Sequence, residues 1–228
     1  MSVVHQETAT TIEYPESDGK PMGETDVHIQ LIIDLRCALR DFFRNAADVY
    51  VGSNLLFYYV EGDPRKRIEP DVFFVRGVGK GARRVYKLWE EGRPPDVVFE
   101  ISSRGTWQED LQKKWQLYAQ LGVREYFIFD PERDYLIEPL VGYRLEEGQY
   151  VRMEVEGGRL RSEALGMELV DTGETLRLYD PQAQRFLPTP AEESEALRAE
   201  AAARRQAEAE ANQLRKELER LRRATDVK

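Results

Sequence analysis

The 228-residue chain has one cysteine, Cys37, and only two histidines, His5 and His28. A disulfide framework is excluded, and so is a zinc site built from cysteine and histidine, so any metal here is expected to be a hard cation held by carboxylates. Long apolar runs are equally scarce. The longest, Leu55 to Val60, falls far short of the ~20 residues that cross a bilayer, so no membrane segment is expected. The first residues, Met1-Ser2-Val3-Val4-His5-Gln6-Glu7, have neither a basic start nor an apolar stretch of signal-peptide length. Together with the single thiol, this makes a reducing cytoplasm the expected compartment. Positive charge is also in deficit: 33 Lys and Arg face 42 Asp and Glu, a formal charge of -9. That balance argues against a nonspecific nucleic-acid coat.

What is present is enough for one domain with an appendage, since 41% of the residues are hydrophobic. The charge is unevenly spread. Between Pro64 and Lys87 eight basic residues stand against Glu69 and Asp71, a local charge of +6. Taken alone this is a pair of solvated basic loops. Beside a catalytic site it becomes a surface for a polyanion, with Arg83, Arg84 and Lys87 as exposed candidate DNA contacts.

The end of the chain separates first. From Ala191 to Lys228 there is no Gly or Pro, and Ala, Glu, Arg and Leu dominate with balanced charge, the composition of a long exposed helix. Ala207, Ala211, Leu214, Leu218 and Leu221 alternate spacings of four and three, a two-heptad seam that fits either a homo-oligomeric coiled coil or a solvated single helix. The expected organisation is a domain over 1–189 and a helical tail over 190–228. Within the domain, roughly the first 20 residues, with Pro15, Gly19, Pro21 and Gly23, read as an irregular arm. Thr25 to Asn45 carries a helical stripe of Leu31, Ile32, Leu35, Leu39, Phe42 and Phe43. Strands are expected at Leu55 to Val60, Asp71 to Val75 and Asp96 to Ser102. A helix follows from Trp107 to Leu121, with Thr106 and Glu109 in capping-box spacing, and then a strand over Glu125 to Phe129. From Tyr135 to Leu187 short strands alternate with turns, as in antiparallel meanders.

Three polar residues break these patterns. Glu100 lies inside Asp96-Val97-Val98-Phe99-Glu100-Ile101-Ser102, a run apolar enough to be covered on both faces, where a carboxylate must be neutralised, paired or bound to a cation. Asp71 opens the strand before it, where an Asp is ordinarily a turn residue. Lys114 takes a core position in the stripe Trp107, Leu111, 114, Tyr118, Leu121, and from there reaches towards Glu100. Asp110, one turn earlier, is placed to pair with Lys114 on the helix. Two carboxylates at neighbouring strand ends can hold magnesium, and an adjacent ammonium can stabilise a phosphoryl transition state, which is the chemistry of phosphodiester hydrolysis. The bland alternative is a buried Glu100–Lys114 salt bridge. Glu24 and His28 lie four apart, and His28 falls on the apolar stripe, as a core or capping histidine or as a support for the metal's water.

These residues resemble the PD-(D/E)XK nuclease superfamily, and within it the Uma-two family of restriction endonucleases. The resemblance is carried by the segments Glu69 to Val75, Pro95 to Ser103, Asp110 to Ala119 and Gly122 to Pro131, and extends to Tyr14–Met22 and the β region. It implies an α/β, restriction-endonuclease-like fold: an α-β-β-β-α-β core with a mixed sheet, an accessory antiparallel β region and a C-terminal helix. It also implies that Asp71 and Glu100 are metal ligands for magnesium, with manganese as a substitute, and that DNA is the substrate. The superfamily's Glu-x-Lys would put lysine at position 102, which is Ser102 here. The lysine is expected on the following helix, as Lys114 or its neighbour Lys113. Lys114 and Tyr118 also resemble the Gln-x-x-x-Tyr motif of RecB-like nucleases. The expected activity is metal-dependent endonucleolytic cleavage, and the rival is an inactive nuclease-fold scaffold assembled through the tail.

Overall fold

The computed structural model describes residues 12–17, 19 and 24–225, with side chains as far as residue 220. The arm before residue 12, residues 18 and 20–22 of the Tyr14–Met22 segment, and the Leu221 side chain of the seam lie outside the described residues. The chain forms two compact units, Met1–Leu187 and Pro188–Lys228.

The first unit opens with α1 (Asp26–Phe42), whose N-cap Thr25 accepts the His28 amide proton on Oγ1 at 3.3 Å. Leu31, Ile32, Leu35 and Leu39 are buried as the stripe predicts, but Phe42 stands exposed where the helix ends. Next come β1 (Val49–Ser53), β2 (Phe57–Tyr58), β3 (Arg67–Ile68), β4 (Val72–Arg76), β5 (Tyr86–Lys87), α2 (Leu88–Glu91) and β6 (Val97–Ile101). The following helix is not uniform. It runs α3 (Trp107–Glu109), a wide π turn (Asp110–Lys114) and α4 (Trp115–Leu121), and stops at Gly122, which has a φ of 84°. The expected capping box is absent, because Thr106 Oγ1 accepts from Ser103 N at 3.1 Å and Glu109 pairs with Lys113. The unit continues with β7 (Glu125–Phe129), β8 (Leu140–Glu146), β9 (Gln149–Arg152), β10 (Arg159–Ser162), β11 (Met167–Asp171), β12 (Leu176–Asp180) and β13 (Arg185–Phe186).

The main sheet has the order β1-β4-β6-β7-β8-β9, and only β6 and β7 are parallel, joined by the α3–α4 helix. This is a mixed α/β fold with the core order α-β-β-β-α-β. Its first strand, however, is Val49–Ser53 and not the apolar run at Leu55 to Val60. Phe57 and Tyr58 pair instead with β3 and β5 in a separate three-stranded sheet. They are apolar because they bury aromatic surface against one face of the main sheet, with Phe73, Tyr118 and Tyr126 nearby in that layer. The other face is covered by α1 and by the four-stranded antiparallel sheet β10-β11-β12-β13, which brings Leu160, Met167, Leu169 and Leu178 to the α1 stripe.

The second unit is α5 (Pro190–Thr225) with its lead-in. Thr189 and Glu192 form a reciprocal capping box: Glu192 N donates to Thr189 Oγ1 at 3.3 Å and Thr189 N donates to Glu192 Oε2 at 2.8 Å. Leu197, Leu214 and Leu218 are exposed along it.

β1 reaches β4 closely because of one glycine. A Cβ on Gly52 would meet the Phe73 ring at 2.4 Å. Gly52→Ala is therefore expected to lower stability by about 1–3 kcal/mol, the usual cost of overpacking, read as a lower urea midpoint with unchanged m-value. An unchanged midpoint would mean that Phe73 yields freely.

Candidate active site

The pairing of β4 with β6 sets the geometry. Val72 lies opposite Phe99, so the register continued by one residue sets Asp71 opposite Glu100. Directly opposed residues have Cβ atoms about 4.5–5.5 Å apart. Asp71 Oδ2 accepts the Ile101 amide proton at 2.7 Å, which ties the carboxylate to the end of β6. Its Oδ1 lies 3.4 Å from His28 Nε2, and Glu24 Oε2 lies 3.8 Å from the same nitrogen. Glu24, His28 and Asp71 each offer a ligand atom within 4.8 Å of the others. His28 is buried, yet neither ring nitrogen makes a well-formed hydrogen bond, so its approach to Asp71 is a contact of charge.

Glu100 is held separately. Its Oε2 lies 2.8 Å from Lys114 Nζ, and its Oε1 accepts from the Tyr118 hydroxyl at 2.7 Å. Lys114 Nζ is also 2.9 Å from Asp110 Oδ1, an ionic contact outside hydrogen-bond alignment, while Asp110 Oδ2 accepts from Ser102 Oγ at 3.1 Å. Asp110 is fully buried, which the stripe did not anticipate. The π turn rotates Leu111 off the inward row and leaves Asp110, Lys114 and Tyr118, four residues apart, facing β6. Spacing of four was the available signal. Ser102, at the position where the superfamily's lysine is expected, serves Asp110 instead. Lys113 is exposed and bonds Glu109 at 2.7 Å.

Burial pushes Glu100 well above the usual carboxylate range; Lys114 pulls it down, and Asp71 and Asp110 push it up. Asp110 is raised in the same way, by burial first, against the pull of Lys114. Burial works against a charged Lys114, but Glu100, Asp110 and Asp71 outweigh it and leave the ammonium harder to deprotonate than usual. Burial likewise opposes a charged His28, and the contact with Asp71 and the charges of Asp71, Glu24 and Asp110 reverse that, so its pKa is raised. Four carboxylates thus converge on one ammonium and one imidazole. The donor set and the unpartnered His28 nitrogens fit a divalent cation, and an imidazole among carboxylates suits manganese as well as magnesium.

The candidate DNA contacts Arg83, Arg84 and Lys87 are each paired with an acidic side chain. Arg83 is mostly buried and not solvated: it forms a two-pronged pair with Glu91, and its guanidinium stacks 4.0 Å from the Tyr50 ring centre. Tyr50 pairs with Val75, four residues along β4 from Asp71, a separation of about 13 Å. Arg84 pairs with Glu16 and Lys87 with Glu90. The +6 window therefore does not present three free cations to the carboxylates.

A family model described as "Putative restriction endonuclease" matches residues 4–176. The chain belongs to this family, Uma2. No curated protein matches the chain. Among solved structures, a protein from Anabaena variabilis described as a "putative nuclease belonging to DUF820" is similar, with 15% identity over 64% of this chain and 76% of that one, at a TM-score of 0.48. No described helix of the Uma2 chain is long and apolar enough to cross a membrane.

The raised groups fix a sign for pH dependence in the metal-free Uma2 protein. Glu100, Asp110 and His28 bind protons more tightly folded than unfolded, so the stability they contribute is complete below their unfolded pKa values and is lost as pH rises through the folded ones. Lys114 is charged in both states over this range and adds no slope. The melting temperature without metal is expected to fall from about pH 5 to pH 8, and to fall less in Glu100→Gln. Parallel pH profiles for the two proteins, by scanning calorimetry, would remove Glu100 from this account.

Proposed function

We propose that the protein is a metal-dependent endonuclease that hydrolyses DNA phosphodiester bonds. The observation that carries this reading is the position of Asp71, just before β4 and bonded to the amide next to Glu100 on β6, with Lys114 between Glu100 and Asp110. Glu24, His28 and Asp71, joined by Glu100, are the residues to hold magnesium or manganese. Bound there, the cation supplies Lewis acidity towards water and offsets the charge that builds on phosphorus.

Lys114 acts as a donor. Its raised pKa keeps it protonated at neutral pH, so it cannot serve as the base, but it can orient the attacking water and stabilise the pentavalent phosphorus. Tyr118, whose hydroxyl burial keeps protonated, fixes one oxygen of Glu100, and Asp110 with Ser102 fixes Lys114. In the reaction the water loses a proton to solvent as its oxygen bonds to phosphorus, one P–O ester bond breaks, and the departing oxygen takes up a proton. Membership of Uma2 supports nucleic acid as the substrate class. The free Cys37 fits a reducing, cytoplasmic setting. We assign the catalytic work to residues 1–189 and self-association to the tail, through Ala207, Ala211, Leu214 and Leu218.

Purified protein is expected to nick or cut DNA with magnesium or manganese and to stop on addition of EDTA. Asp71→Asn and Glu100→Gln should each abolish cutting while the protein stays folded by circular dichroism. Lys114→Met should lose about 10²–10³ in turnover, the cost of one transition-state donor, with metal affinity retained, whereas Lys113→Met should cut normally. Wild-type cutting by Asp71→Asn or Glu100→Gln would overturn the metal assignment, and a folded wild type that never cuts would favour the scaffold. Deleting 190–228 should lower the number of chains per particle measured by sedimentation and leave cutting intact; cleavage lost with the number of chains per particle unchanged would make the tail part of the substrate surface.

A further inference from the structure

A cavity of about 430 Å³ opens beside the edge strand β1, between the C-terminal half of α1 and the loop around residues 80–83. Five basic residues and no acidic one line it: Arg36, Arg40, Arg44, Lys80 and Arg83. Three of them are already engaged. Lys80 donates to the last carbonyls of α1, Phe43 O at 3.1 Å and Arg44 O at 2.5 Å. Arg83 is paired with Glu91, and Arg44 with Asp41. Arg36 and Arg40 have no hydrogen-bond or ion partner among the described residues, and Arg36 Nε is buried without an acceptor.

The geometry points to a second phosphate-binding site here, in which Arg36 and Arg40 grip the nucleic-acid backbone at a distance from the cut. This deepens the nuclease reading and rests on it. Arg36 and Arg40 lie eight and twelve residues beyond His28 on the same helix, hence about 12 and 18 Å from it along the axis. Duplex phosphates advance about 3.4 Å per nucleotide along one strand, so the grip falls roughly four to five nucleotides from the catalytic carboxylates. The guanidinium fork matches phosphate oxygens, and two forks one helical turn apart serve adjoining phosphates. Tyr50 adds a hydroxyl to the wall. Burial raises its pKa, Arg83, Arg36 and Arg40 lower it and Glu91 raises it, in keeping with the place of Tyr50 in the same wall as the three arginines.

The test measures binding of a fluorescent duplex to the full chain in EDTA, between about 50 and 200 mM salt. Arg36→Gln/Arg40→Gln should weaken binding and reduce the magnitude of the slope of log K against log salt by about 1.8, two contacts at about 0.9 each. Lys216→Gln/Arg220→Gln, which changes net charge equally on the tail, should leave the slope as in wild type. If the double variant unfolds, Arg40→Gln alone should lower the slope by about 0.9. Inorganic phosphate and deoxyadenosine monophosphate, followed by thermal shift, separate the sources. Stabilisation of wild type but not of the variant, with an unchanged duplex slope, would make this a site for free phosphate and overturn the backbone grip. A wild type that cuts DNA while the variant keeps the full slope overturns this site and spares the nuclease reading. A variant slope reduced by about 1.8, with a wild type that never cuts, spares this site and overturns the nuclease reading.

Discussion

Glu100 carries a carboxylate into the middle of a sheet covered on both faces, and the neighbouring helix is arranged around it. An unpaired charge in such a place costs several kcal/mol. Both of its oxygens are met from one row of the α3–α4 helix, by Lys114 and Tyr118. Lys114 meets a second carboxylate in Asp110, and Asp110 accepts from Ser102 just past the end of the same strand. The chain of contacts starts on β6 and returns to it. A helix tied at three successive turns cannot slide or roll, which gives the π turn a reason: it aligns the row at the expense of a regular backbone.

Charge is divided between two ends of α1. Around Glu24, His28 and Asp71 the potential is negative and suits a cation, while two to three turns later Arg36 and Arg40 make it positive. For a polyanionic substrate the first region is repulsive until a cation occupies it, and the second is attractive throughout. A chain with net charge -9 thereby keeps a local field that favours approach from one side.

Much of the fold could be read from periodicity. The α1 stripe, the strands bearing Asp71 and Glu100, the second helix and the meanders follow hydrophobic spacing, because burial produces both. Lys114 was legible for the same reason: a charge at a core position has few explanations. β1 was not legible, since Val49-Tyr50-Val51-Gly52-Ser53 is short and ends in residues that usually mark a turn, while Leu55 to Val60 is more apolar and serves a local sheet. The pairing of Asp110 with Lys114 followed from their spacing of four, but the burial of Asp110 was hidden by the π turn, which a stripe drawn for a regular helix does not include. The engagement of Arg83 by Glu91 joins a loop to α2, and no local pattern encodes such a pairing.

Asp71 is both a candidate ligand and a strand tie, because its Oδ2 holds the amide of Ile101. That amide proton can exchange with solvent only when Asp71 lets go of it. The hydrogen-exchange rate of a single backbone position, on a residue with no chemistry of its own, therefore reports how often the centre comes apart. Whatever fastens Asp71 from the α1 side will slow that clock.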